Sequence, residues 1–439
     1  MSTTTTHSKT EKRSAELSPS NPLPSLRFKE FEGELTKYKL DDIVTFRSGG
    51  TPSKKKDTYW TGDIPWISAA SMLGKYYAKS ERKITEEGLK NGSKLALKGS
   101  LLLLVRGSML FNKIPIGIVE RDVAFNQDLK TITPNEKLDN EFLYQWFSAK
   151  QNFLLHKVTV TGIGVGKLDT ESLKSLNLLL PSLPEQQKIA SFLSAVDEKI
   201  MQLTKKKALL VNYKKGIMQQ LFGSTESGHA ANQLRFKDQH ENDYPDWKEK
   251  RLGEIDLVIS DGNYGEMYPK ASEMKDSGVP FIRANNIKGL NILWNDMRFI
   301  DDDLHSNLLS GHLKTNDILV TTRGQIGLVA FVKEEFDGAN INAQICLLRS
   351  GKGINPNYLL HALGSKKGKS QFRKLQTGSV LKQLPKRSLK AIELGIPFIE
   401  EQQKIGSYLS HIDIKIEEVN NQETQTQTLR KGLLQKLFV

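Results

Sequence analysis

The chain contains itself twice. Residues Thr161–Gly223 align without a gap on Thr377–Val439, each matching one 216 positions later, and about two dozen of the 63 pairs are identical. A fixed internal offset constrains architecture more than any local motif, because what one copy folds into the other must fold into as well. The clearest block is "PSLPEQQKIASFLSAVDEKI" from Pro181 against "PFIEEQQKIGSYLSHIDIKI" from Pro397, and both copies end alike, in "KGIMQQLF" from Lys215 and "KGLLQKLF" from Lys431. The halves also open alike, with "LRFK" at Leu26 and Leu234 followed by "YKLDDIV" from Tyr38 and "KRLGEIDLV" from Lys250. "LLVRGSM" from Leu103 corresponds to "LVTTRGQ" from Leu319, and "FNQDL" from Phe125 to "INAQI" from Ile341. By contrast, Ser48–Ala96 and Ser260–Leu313 hardly align. One scaffold thus carries two dissimilar surfaces, which favours two ligands, although drift of exposed loops would leave the same trace.

Within each half the pattern is α+β followed by one long helix. Short aliphatic runs at Ile43–Phe46, Leu101–Val105, Ile116–Val119, Ile318–Thr322 and Leu328–Val332 alternate with Gly, Pro, Asp and Asn, as strands and turns do. "EFLYQWFSAKQNFLL" from Glu141 has helical spacing. After Pro181 the period changes. Pro184 suits a first helical turn, Glu185 complements its dipole, and no further Pro or Gly appears before Gly216. Heptads place Ile189, Val196, Leu203, Leu210 and Ile217 at d, and Leu193, Ile200 and Leu221 at a, with Lys207 and Lys214 interrupting. The copy has Ile405, Ile412, Val419 and Leu433 at d and Leu409, Ile416 and Leu437 at a, with polar Glu423, Thr426 and Arg430. Each seam needs a partner: the other helix of the same chain, packed antiparallel, or a second chain in a dimeric coiled coil. A helix over Pro184–Phe222 is roughly 57 Å long at 1.5 Å per residue, a span of about 17 base pairs at 3.4 Å each. An antiparallel pair would set two globular units about a pseudo-two-fold axis, an arrangement suited to two DNA half-sites.

Composition narrows the function. Lys plus Arg number 63 against 50 Asp plus Glu, a formal charge of +13, so a polyanion and foremost nucleic acid is the first partner to test. Cys346 is the only cysteine, which excludes an intrachain disulfide or a Cys-rich metal site and fits a reducing cytoplasm. Apolar runs such as Leu101–Val105 and Leu176–Leu180 are far below the roughly 20 residues a membrane span needs. Met1–Ser25 is rich in Ser, Thr, Pro and charge without the apolar stretch of a signal peptide, and reads as a disordered tail.

These residues resemble the specificity (S) subunits of type I restriction-modification systems. "PSLPEQQKIASFL" from Pro181 fits the "P-x-x-P-E-Q-x-x-I" opening of that family's central helix, whereas "PFIEEQQKIGSYL" from Pro397 has Glu400 in place of the second proline. "LTKYKLDDIVTFRSGGTPS" from Leu35 and "DYPDWKEKRLGEIDLVISDGNYG" from Asp243 look like the starts of its two recognition domains. The resemblance covers about Leu26 to Val439. It implies two tandem α+β target recognition domains separated by two long helices forming an antiparallel coiled coil: tail 1–25, first domain 26–181, central helix 182–223, linker 224–247, second domain 248–397 and distal helix 398–439. It also implies a non-catalytic reader of a split, asymmetric duplex DNA sequence. Partners would be methyltransferase (M) subunits, two of them, and restriction (R) subunits. S-adenosylmethionine, ATP and Mg would be held by those partners, with no cofactor in this chain and no membrane.

Catalytic motifs are wanting. "TGIGVGKL" from Thr161 has Thr161 where a phosphate loop needs its first Gly and Leu168 where it needs Ser or Thr, and its copy "TGSVLKQL" from Thr377 loses the glycines. "DEK" at Asp197–Lys199 looks nuclease-like, but Asp197 and Lys199 recur as Asp413 and Lys415 within the heptads, so a solvated helix face is expected. The eight His form no metal-ligand spacing, and neither an Asn-Pro-Pro-Tyr-like motif nor a glycine fingerprint for S-adenosylmethionine is present. Two rival readings survive, an interaction scaffold that binds no DNA and a self-sufficient nuclease or methyltransferase.

For DNA contact the candidates are polar loop residues, since Arg and Asn read guanine and adenine edges while Lys chiefly neutralises phosphate. In the first half these are Ser48, Gly49, Gly50, Thr51, Ser53, Lys54, Lys55, Arg106 and Lys167. In the second they are Asp261, Asn263, Tyr264, Arg283, Asn285, Asn286, Arg323 and Lys382. The small-residue loops "TGIGVGKL" and "TGSVLKQL", with Lys167 and Lys382 in them, could approach a DNA backbone closely. Arg106 and Arg323 stand beside Gly in corresponding strand ends; a structural salt bridge is the alternative for both. Trp60, Trp66 and Trp294 are expected in the core.

Overall fold

The computed structural model describes residues 23–162, 164–223, 234–264 and 268–438. Residues 1–22 of the expected tail and 224–233 of the expected linker lie outside them. The chain divides into two compact units, one of residues up to 202 together with 422–439, the other of 203–421.

In the first unit β1 (Thr36–Lys39) leads through a helical turn, Leu40–Ile43, into β2 (Val44–Ser48). The strand therefore starts one residue later than its apolar run suggests, because Leu40 and Ile43 are buried from that turn. Strands β3 (Leu101–Leu104), β4 (Ile116–Val119) and β5 (Leu129–Pro134) complete most of a five-stranded sheet, ordered β2, β5, β3, β4 and then Tyr76–Tyr77. All four leucines of β3 are fully buried. A strand covered on both faces reads as a continuous apolar run, which is why no alternation shows there. Helix α1 (Asn140–Ala149) is capped by Asp139, whose carboxylate accepts from the Phe142 N–H at 2.9 Å, and it delivers Phe142, Leu143, Trp146 and Phe147 to the core. The expected single helix from Glu141 is broken: Gln151 starts a second short helix, its amide bonded to the Ile114 backbone on both sides. Strand β6 (Asn177–Leu180) pairs antiparallel with β1 and passes directly into α2 (Leu183–Phe222).

The second unit repeats this plan. Strand β7 (Lys248–Arg251) takes the place of β1. Strands β8 (Leu257–Asp261), β9 (Ile318–Thr321), β10 (Val329–Phe331) and β11 (Ile345–Ser350) form a sheet ordered β8, β11, β9, β10. The register is kept as well as the order: Lys130 faces Ser48 across β5 and β2, and Cys346 faces Asp261 across β11 and β8. Helix α3 (Pro356–Gly364) is capped by Asn355, and Ser365 caps a following helix α4 (Lys366–Lys374). Strand β12 (Glu393–Ile396) pairs with β7 and leads into α5 (Ile399–Leu437).

The two long helices pair antiparallel, as each unit shows by its own contacts. In the second unit Lys207 donates to Asn420 at 2.8 Å and Lys214 to Asp413 at 2.5 Å, one index rising as the other falls. In the first unit Arg430 pairs with Asp197, and Ile189 and Leu193 share a core with Leu434, Leu437 and Phe438. Every expected seam residue of α2 and α5 is buried or half-buried, whereas Leu209, Ile414 and Leu429, off the seam, are exposed. The helix ends also complete the globular cores. Phe438 meets Phe142 at 5.2 Å between ring centroids in the first unit, and Phe222 meets Tyr358 at 5.8 Å in the second. This explains why both copies end in Leu-Phe.

The shared "EQQ" opening is a clasp. Glu185 and Glu401 are almost completely buried and are held by Arg27 and Arg235, the arginines of the two "LRFK" openings. Glu401 accepts from Arg235 Nε at 2.8 Å and Nη2 at 3.0 Å, from Trp247 Nε1 at 3.1 Å and from the Phe236 N–H at 3.3 Å. Such multiple donors keep a buried carboxylate compatible with the interior. Gln186 and Gln402 bind the backbone just before α1 and α3, accepting from Asp139 and Asn355, each at 2.9 Å. Asp197 is thus not on a solvated face: it lies half-buried between Arg430 and Gln145, because its position borders the seam. Its counterpart Asp413 is bound by Lys214 and lies 3.8 Å from the fully buried His361, which stands where Gln145 stands in the first unit.

Two predictions follow from this packing. Leu409→Ala removes a fully buried seam residue and should cost about 2–5 kcal/mol, whereas Leu209→Ala, 60% exposed, should change stability by no more than about 0.5 kcal/mol; denaturant titration separates them. Burial, reinforced by the charge of Lys214, pushes the His361 imidazole down to about 3, so the folded chain holds it neutral while an unfolded one protonates it near its ordinary value. Stability should fall as pH drops below about 6.5, by up to about 1.4 kcal/mol per pH unit from this residue, and His361→Gln should flatten that slope in melts recorded between pH 7 and 4.

Candidate nucleic-acid interface

In the first unit β2 delivers Ser48 to the edge of the large sheet, where Lys130 donates to its hydroxyl at 2.6 Å. Beyond it the chain crosses the backbone of a second sheet. A methyl group added at Gly49 would lie 2.3 Å from the Phe125 carbonyl oxygen, and one at Gly50 would lie 2.3 Å from that of Gly92. These glycines let the chain pass close to the protein's own backbone. Thr51 donates to Gln127 at 2.5 Å, and the Ser53 carbonyl accepts from Trp60 Nε1 at 3.1 Å. The anchored turn presents Lys54 and Lys55, both exposed and without a carboxylate partner among the described residues. Arg106 follows the end of β3 and forms an antiparallel bridge with Lys167. Both are exposed, and neither has an ion pair among the described residues.

In the second unit several expected readers are occupied in holding loops. Asn263 is buried, accepts from the Leu309 and Ser310 N–H groups at 3.0 and 3.2 Å, and donates to the Ser310 carbonyl at 2.6 Å. Fully buried Asn286 accepts from the Arg283 N–H at 3.0 Å and donates to the Asn295 carbonyl at 3.0 Å. Arg283 and Asn285 both bind Asp296, the former by an ion pair of 3.0 Å. Asn263 and Asn286 are thus engaged on both their carbonyl and amide sides and serve the loop, whereas Arg283 Nε has no partner among the described residues. Asp261 is half-buried, with Lys386 3.5 Å away.

Arg323 behaves differently. It leaves the end of β9 as Arg106 leaves β3, is exposed, and, like Arg106, has no carboxylate partner among the described residues. Its guanidinium lies 5.2 Å from the centre of the Tyr264 ring. Burial and the Asp261 carboxylate push the Tyr264 phenol up, with Arg323 opposing, so the ring is neutral. The residue bridging Arg323 is Gln383, the counterpart of Lys167; the candidate Lys382 sits one position earlier and is exposed. Trp60 and Trp66 pack together in a small core cluster, while Trp294 stacks on Phe336 at 4.7 Å and is 46% exposed.

Two features escaped the sequence. Val380 and Leu381, 90% and 86% exposed, form the tip of the Thr377–Gln383 loop; apolar residues are read as core unless their surroundings are known. Helix α4 carries Lys366, Lys369 and Arg373 on one exposed face. Their spacing was a usable signal. This helix is anchored beneath the turn after Arg323 by Phe372, against which Gly327, at φ +80°, packs so closely that a Cβ would lie 2.9 Å from the ring. Among the described residues no His, Cys, Asp and Glu group could hold a metal ion, and no helix is long and apolar enough to cross a membrane.

Two similar scaffolds with unpaired cations at matching strand ends invite comparison with known proteins. The family model of the type I restriction modification DNA specificity domain matches residues 32–212 and 244–426. The chain belongs to this family. It is 34% identical over 174 residues to the EcoR124I/EcoR124II specificity subunit of Escherichia coli, covering 39% of this chain and 43% of that one. It is 25% identical over 423 residues to the MjaVIII specificity subunit of Methanocaldococcus jannaschii, covering 94% and 95%. The fold matches the crystal structure of the type I restriction-modification S subunit from M. genitalium with a TM-score of 0.63 at 18% identity, over 95% of this chain and 99% of that one. Members of this family are DNA specificity subunits.

Asn286→Ala should lower stability by about 1–3 kcal/mol, because it strands buried backbone groups; an unchanged melting curve would return Asn286 to the pool of candidate readers.

Proposed function

We propose that the chain is the non-catalytic subunit that selects DNA for a type I restriction-modification complex. Its two α+β units, 26–181 and 248–397, each take one half of an asymmetric duplex site, with the gap governed by the lengths of α2 and α5. One observation carries the reading: a scaffold kept in strand order, register and clasps presents different polar surfaces at the same place, Thr51, Arg106 and Lys167 in one unit and Tyr264, Arg323 and Gln383 in the other. Kept scaffolds with altered loops are what selection for two different half-sites would leave. The charge of +13 supports a duplex partner.

The paired helices are the surface this reading assigns to two methyltransferase subunits, with restriction subunits joining that assembly in the cytoplasm. S-adenosylmethionine, ATP and Mg then belong to those partners. On this reading catalysis belongs to the partner subunits and not to this chain.

Methylation-sensitive sequencing of DNA from cells carrying this chain with its partner subunits tests the proposal. Methylated adenines should fall within a split motif whose halves differ. Methylation without a motif, or DNA-independent assembly with no salt-dependent affinity for duplex, would favour the scaffold rival, and activity of the purified chain with Mg or S-adenosylmethionine would favour the self-sufficient enzyme.

A further inference from the structure

The two matching arginines are not equivalent readers. We propose that Arg323, braced by Tyr264, reads a guanine in the half-site of the second unit, while Arg106 grips the phosphate backbone in the half-site of the first. The inference rests on the DNA-reading function above and assigns its chemistry residue by residue.

Both arginines leave corresponding strand ends, are exposed, and lack a carboxylate partner among the described residues. What distinguishes them is their surroundings. Since Ser48 faces Lys130 and Asp261 faces Cys346 in the same register, Thr51 and Tyr264 lie the same number of residues beyond the strand end. The guanidinium of Arg323 is 5.2 Å from the Tyr264 ring centre, whereas Thr51 offers no aromatic face and spends its hydroxyl on Gln127. Resting on a ring holds the planar fork in one orientation while leaving its N–H edge free, and the guanine O6 and N7 acceptors require a fork held that way.

Charge separates the two sites as well. Arg106 stands across its backbone bridge from Lys167, so two cations face the same space, and among the described residues the one carboxylate acting on them, Asp169, acts on Lys167. A phosphate oxygen satisfies both. Arg323 stands instead across from neutral Gln383, and Asp261, where the first unit has Ser48, acts on Tyr264 from nearby. Asp261 is itself offset by Lys386 at 3.5 Å, so the contrast lies in the bridge: neutral Gln383 leaves one cation there where the first unit has two, and a single braced fork suits a base edge.

The test is the methylated motif written in cells by the full complex carrying Arg323→Lys, Arg323→Ala, Tyr264→Ala, Tyr264→Phe or Arg106→Ala. Arg323→Lys keeps the charge and loses the fork, so it guards against a folding defect. It and Arg323→Ala should relax a single G·C position, in one half of the motif, by about 10- to 100-fold. Tyr264→Ala should relax the same position, and Tyr264→Phe, which keeps the ring, should leave the motif as in the parent chain. Arg106→Ala should lower methylation at all sites while the motif stays the same. The proposal is overturned if the parent motif has no guanine in the affected half, if Arg323→Lys preserves the motif, or if Tyr264→Ala and Tyr264→Phe behave alike. A parent complex that writes no split motif would instead sink the DNA-reading function itself.

Discussion

A long helix with an apolar stripe cannot remain in water by itself, and this chain has two of that kind, α2 of 40 residues and α5 of 39. Their antiparallel pairing buries both stripes at once, so the remaining features of the molecule are arranged around it. Leu221 and Phe222 enter the core of the second unit, and Leu437 and Phe438 enter that of the first. Each globular unit is therefore completed by the end of the helix that begins in the other copy of the repeat. Apolar burial of this kind is non-directional, and it supplies affinity between the helices without choosing their orientation.

Orientation comes from the polar positions. Asp197 with Arg430 and Asp413 with Lys214 are the same pair of positions seen twice, and in a parallel alignment each would face an apolar or like-charged neighbour. The buried Glu185 and Glu401 tie each helix start to the arginine that opens its half, and Gln186 and Gln402 tie it to the cap of α1 or α3. A reading surface needs a rigid base, and these clasps supply one by joining sheet, capping helix and long helix within a unit. The candidate DNA contacts stand on the ends of β3 and β9, the most deeply buried strands of each sheet. A loop anchored there can vary in sequence without disturbing what lies beneath.

Much of this was legible in one dimension. The repeat, the long helices, their seam residues and the strand runs around Leu101 and Ile318 all follow from periodicity and self-comparison, which depend on neighbours a few residues away. Candidate contacts were legible only in part. Arg106 and Arg323 stand exposed at strand ends as their setting beside glycine suggests, and Lys54 and Lys55 lie on an open turn. Gly49 and Gly50 accommodate the carbonyls of Phe125 and Gly92, Asn263 and Asn286 are held by Ser310 and Asn295, and Arg283 pairs with Asp296 through one nitrogen. Nothing in a polar loop announces which of its donors are already satisfied, because the acceptors come from distant segments.

The sequence by itself determined that the protein is a duplicated α+β chain with two seamed helices and a basic surface, since repetition, heptad spacing and charge are properties of the string. Tertiary structure decided which helix end enters which unit, that Asp197 borders a seam and not solvent, and that Tyr264 comes beneath the Arg323 guanidinium. The physical reason is common to these cases: each depends on a contact between residues tens to hundreds of positions apart, set by how sheets and helices pack, and no local pattern encodes the identity of a remote partner.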